Sequence, residues 1–81
     1  MSLERAAMRG KLADAQMRAK KLTLRIDGNC TAIRQGLNTA LTPVPDLAVP
    51  QLAEQMDELV VAWDELQATF SEIARLEREL G

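Results

Sequence analysis

The chain has no histidine and one cysteine, so the residues able to do chemistry are Cys30, two adjacent acid pairs and a run of bases. A nucleophilic thiol needs a neighbouring base or cation to favour its thiolate, and Asn29 and Thr31 supply neither. Cys30 therefore reads as a small residue at the edge of a core. Asn29-Cys30-Thr31 matches a glycosylation sequon, which has meaning only for a secreted chain. Asp57-Glu58 and Asp64-Glu65 have the residue types for general acid–base work, but no Glu-x-x-His pattern accompanies them and their spacing puts them on a solvated helix face. Zinc-type ligand spacing is absent, and Gly28 and Gly36 are isolated rather than part of a phosphate-cradling loop. These residues predict no enzyme, no metal and no cofactor.

The bases point to a different chemistry. Arg5, Arg9, Lys11, Arg18, Lys20, Lys21 and Arg25 make the first third of the chain locally basic, and Arg18, Lys20, Lys21 and Arg25 are the candidates for contact with nucleic-acid phosphates. No aromatic residue interleaves them, and no reading-helix motif surrounds them. Residues 1–41 hold eight Lys/Arg against three acids, and residues 42–81 hold nine acids against two arginines, so the halves carry about +5 and −7. Side by side, such halves attract each other and also attract partners that dock basic helix to acidic helix.

The elements that position these residues are two helices. Leu and Ala dominate the apolar set and Trp63 and Phe70 are the sole aromatics, a helical composition. In the second half Val49, Leu52, Met56, Leu59, Trp63, Leu66, Phe70, Ile73 and Leu80 recur at steps of three and four, interrupted only at Glu77. With Pro50 tolerated in a first turn, this predicts a helix over about residues 50–80. A weaker row through Met8, Leu12, Ala15, Ala19, Leu22, Ile26, Asn29, Ile33, Gly36 and Ala40 predicts a helix over about residues 2–41, capped by Ser2, with Asp27-Gly28-Asn29 its weakest point. Pro43 and Pro45 mark residues 42–49 as the turn.

A short turn makes the helices antiparallel neighbours within one domain over residues 1–81, an all-α two-helix hairpin of coiled-coil type. Superposing the rows pairs positions whose numbers sum to 88 or 89: Ile33 with Met56, Ile26 with Trp63, Leu22 with Leu66, and the small Ala19, Ala15 and Gly36 with Phe70, Ile73 and Leu52. Leu12 then meets Glu77, and Asn29 meets Leu59 as a polar, register-setting residue.

Two helices leave each core side chain half exposed. A buried large apolar residue contributes only ~1.5–3 kcal/mol, against ~1.5 kcal/mol of ordering cost per residue. This predicts completion as a four-helix bundle, by dimerisation with itself or by a helical partner protein. Candidate interface residues are Leu3, Met17 and Leu24 on an outer row of the first helix, with Ala6, Gly10 and Ala13, and Cys30, Leu37 and Val60 near the turn. In outline such a hairpin is similar to small bacterial helical-hairpin proteins such as plasmid copy-number regulators and secretion co-chaperones, a likeness of architecture that carries no function. The predicted role is a non-enzymatic interaction or assembly module, the alternative a small nucleic-acid-binding regulator using the first helix. One cysteine, early charges at Glu4, Arg5 and Arg9, and no run of ~18 apolar residues predict a cytoplasmic chain without a secretory leader or membrane span.

Overall fold

The computed structural model describes residues 2–81. Helix α1 spans Leu3–Gly36 and helix α2 spans Val49–Leu80, with one 3₁₀ turn at Val44–Asp46 between them and no strand among the described residues. The helices run antiparallel as a hairpin of 64 × 16 × 15 Å. Ser2, in extended conformation, caps α1 by accepting the Glu4 and Arg5 amides on its hydroxyl. At the same end the Arg5 guanidinium donates to the Leu80 carbonyl at 2.8 Å, satisfying an acceptor that the last turn of α2 leaves open.

Helix α1 passes unbroken through Asp27-Gly28-Asn29 and stops at Gly36, short of the expected end near Leu41. The stop is local chemistry. The Leu37 amide still bonds back to the Ile33 carbonyl, but the Asn38 side chain accepts the Ala40 amide and the Asn38 carbonyl accepts those of Leu41 and Thr42. This turn around Asn38 competes with the helix for the same donors. Pro43 then holds an extended backbone, and Pro45 sits in the 3₁₀ turn. The connection therefore occupies residues 37–48 rather than 42–49, and α2 begins at Val49 with Pro50 in its first turn.

The row that α1 turns inward is the expected one, with Ala15, Ala19, Leu22 and Ile33 buried. On α2 only half of the expected row is inward. Leu52 and Leu66 are buried and Leu59, Ile73 and Leu80 half-buried, but the intervening positions are Gln55, Ala62, Thr69 and Leu76 instead of Met56, Trp63, Phe70 and Glu77. Ala62 is fully buried and Leu76 is 1% exposed, whereas Trp63 is 53% exposed. Met56 and Phe70 therefore meet Ile33 and Ala19 only at the walls of open grooves, and Trp63 stands half exposed instead of in the seam. Ile26 and Ile73 pack against a cluster of Ala19, Leu22, Ala62 and Leu66.

Small side chains explain the rotation. With Ala15, Ala19 and Gly36 on one helix and Ala62 and Thr69 on the other, the axes approach closely, and a tryptophan or phenylalanine has no volume to occupy between them. Rotation also brings Leu76 inward in place of Glu77, which keeps a carboxylate out of the seam. The expected meeting of Gly36 with Leu52 holds: a Cβ on Gly36 would run into the Leu52 side chain. Thr69, nearly fully buried, satisfies its hydroxyl on the Glu65 carbonyl at 2.8 Å, so a polar residue sits in the seam with its donor paired.

Candidate protein-protein interface

The rotated register gives the hairpin two unlike flanks. Along one, Lys11, Arg18 and Arg25 of α1 recur every seven residues, as do Glu58, Glu65, Glu72 and Glu79 of α2. Arg18 Nη1 donates to Glu72 Oε2 at 3.0 Å, the one ion pair between the helices among the described residues. At the same offset the antiparallel path brings Arg25 to the height of Glu65 and Lys11 to that of Glu79, while Glu58 meets Ala32 and Glu79 pairs with Arg75 of its own helix at 3.5 Å. An exposed pair of this kind contributes at most about 1 kcal/mol.

The opposite flank is apolar along its middle, with Lys20, Asp27 and Arg34 of α1 at its edge. Here α2 presents Val49, Met56, Trp63 and Phe70, again every seven residues and each about half exposed or more. The facing row on α1 is Gln16, Thr23 and Cys30, followed beyond the helix end by Leu37. Two open grooves lie along this flank. One, of about 460 Å³, is lined by Ala19, Lys20, Thr23, Leu24 and Phe70, and its walls are almost entirely apolar. The other, of about 370 Å³ and nearer the turn, is lined by Asp27, Cys30, Ile33, Arg34, Met56 and Leu59. Thr23 turns its hydroxyl back to the Ala19 carbonyl at 2.8 Å, so it offers the first groove mainly its methyl face.

The interface residues expected from sequence fall into two groups. Leu24 borders the first groove and Cys30 lines the second. Leu37 and Val60 are exposed; Leu37 prolongs the α1 row, and helical spacing places Val60 beside the Met56–Trp63 row, so both belong to the same side. Leu3 and Met17 are also exposed but stand on the back of α1, on a row that Gly10 leaves open, with nothing within 4 Å of where its side chain would be. Met56, Trp63 and Phe70, the largest side chains of the flank, were expected in the core. Glu77 was the signal against that placement, since it extends their row by seven into a charge.

Of the four bases considered for nucleic acid, Arg18, Lys21 and Arg25 stand at i, i+3 and i+7 on one face of α1, and Lys20 lies apart from them. Arg18 is engaged by Glu72, Arg25 shares the glutamate-lined flank, Lys21 is exposed beside both, and Lys20 borders the apolar groove. Among the described residues no group of three or more His, Cys, Asp or Glu side chains is placed to hold a metal ion. No helix of the described residues is long and apolar enough to cross a membrane. No protein-family model, no curated protein and no solved structure matches this chain.

Proposed function

We propose that the chain is a non-enzymatic assembly module whose working form is a four-helix bundle, the open flank of the hairpin being covered by two further helices. The observation that carries this reading is the row Met56, Trp63, Phe70. Three of the largest side chains in the chain stand half exposed, in line, beside grooves walled by the apolar parts of α1. A contiguous apolar strip on a chain this small has little else to stabilise it, and covering it removes from water the area the hairpin leaves exposed.

A protein partner fits better than nucleic acid. An aromatic and aliphatic strip is what helix-on-helix docking uses, whereas phosphate contact needs bases grouped on one free surface. Here Lys20 lies apart at the apolar groove, and Arg18 is engaged by Glu72. We place such a module in the cytoplasm, where a lone Cys30 has no need of a disulfide partner.

The test is absolute mass in solution, by light scattering after size exclusion over a dilution series, joined to thermal unfolding followed by circular dichroism. Association, or a monomer that melts broadly at low temperature, is the expected result, since the first covers the flank and the second shows it lacks cover. A monomer at every concentration that unfolds cooperatively above about 60 °C, beyond the middle of the range for mesophilic domains, overturns the reading.

A further inference from the structure

Resting on that reading, we infer that the helices covering the open flank come from a second copy of this chain, docked with both turns at the same end, so that α1 of each copy lies against α2 of the other. Charge decides both the occupant and its orientation. Two hairpins meeting flank to flank about a twofold axis have two choices. With the axis across the helices, α1 meets α1 and α2 meets α2, bringing a half of about +5 against its like and a half of about −7 against its like. With the axis along the helices, each new junction joins a basic helix to an acidic one.

Only the second arrangement repeats, between copies, the pairing the hairpin already makes within itself through Arg18 and Glu72. By the offset of Arg18 and Glu72 it sets Arg34, which borders the second groove, at about the height of Asp57 of the second copy, while Asp27 comes level with Asp64 and Lys20 with the apolar Phe70. The apolar rows meet in the middle, and the charges close the rim. This is the anatomy of a specific interface, an apolar centre inside a polar margin.

The area is sufficient. One long face of a 64 × 16 Å body offers about 1,000 Å², against the ~800 Å² per partner of a standard stable interface. Packing along the whole flank also covers Trp63 at its centre, where an aromatic residue contributes most to association.

Orientation is read by distance. A nitroxide at Thr39→Cys in a Cys30→Ser background marks the turn, and pulsed dipolar spectroscopy on the full chain measures the separation between copies. Turns at one end place the labels within about 35 Å, whereas turns at opposite ends separate them by about 50 Å or more, the length of these helices. Light scattering is expected to give twice the 9.0 kDa chain mass. Trp63→Glu is expected to weaken the dimer about 30-fold or more while the dilute chain keeps its helical spectrum.

A dimer with the long separation overturns the orientation and leaves the covered flank standing. A dimer indifferent both to Trp63→Glu and to Phe70→Glu overturns the flank itself as the interface. A monomer at all concentrations overturns the second copy as occupant, and its melting behaviour then decides separately whether the flank needs a cover at all.

Discussion

Gly28 and Gly36 lie in the same helix and meet opposite surroundings. A Cβ on Gly28 would meet nothing within 4 Å, whereas one on Gly36 would run into Leu52. Glycine in a helix interior costs ~1 kcal/mol relative to alanine, so Gly28→Ala is expected to stabilise the chain by about that amount. Gly36→Ala gains less propensity at the helix end and must displace a buried leucine, with a net loss of ~1 kcal/mol or more expected. Chemical denaturation of the two variants under identical conditions checks the sign of each. This difference was legible from sequence, since only Gly36 falls on the expected inward row, opposite Leu52.

At the scale of the element, two polar side chains sit in the seam near the turn. Asn29 Nδ2 and Gln55 Oε1 are buried without a hydrogen-bond partner in the protein, a donor on one helix and an acceptor on the other. A buried amide left unpaired costs ~1–3 kcal/mol, and its usual return is a fixed register or a fixed number of helices. Asn29→Leu is accordingly expected to raise the unfolding midpoint and to broaden the distribution of oligomeric states. Denaturation with light scattering on one sample tests both effects, and a more stable variant with unchanged mass would remove the specificity role.

The same element shows where sequence stops being sufficient. Two helices, their antiparallel path, the inward row of α1 and the row Leu52, Leu59, Leu66, Ile73, Leu80 were legible from spacing alone. The second inward row of α2 was not. Positions on either side of the leucine row keep the same three-four spacing, and hydropathy ranks Met56, Trp63 and Phe70 above Gln55, Ala62 and Thr69. Close approach of the helices reverses that ranking, because volume rather than hydropathy decides what fits between them. Charge held the missing information, since the glutamates at 65, 72 and 79 come level with Arg25, Arg18 and Lys11 only in the rotated register. Of the residues along the open flank, Leu24, Cys30, Leu37 and Val60 were named from sequence, whereas the aromatic row was assigned to the interior.

For the molecule as a whole, length without thickness is the governing property. A body 64 Å long and about 16 Å across buries few side chains fully; Leu76 and Thr69 are the largest of them. Such a chain gains stability by mass action from whatever covers it. Its melting temperature is therefore expected to rise with its own concentration, by several degrees per tenfold, since a shift of ~1 kcal/mol moves the midpoint of a domain this size by ~4–8 °C. A midpoint constant over a hundredfold range of concentration would show that self-association adds nothing to folding.

The bond from Arg5 to the Leu80 carbonyl ties the first turn of α1 to the last turn of α2. Ser2 and Gly81 therefore leave the rod from one pole, with the proline-bearing connection at the other, a rod's length away. Anything fused to either terminus, a fluorescent tag or a tethering surface, is carried at the same pole. The connection end stays clear of it, so the molecule can be immobilised by its tail without obstructing its tip or the strip along its side.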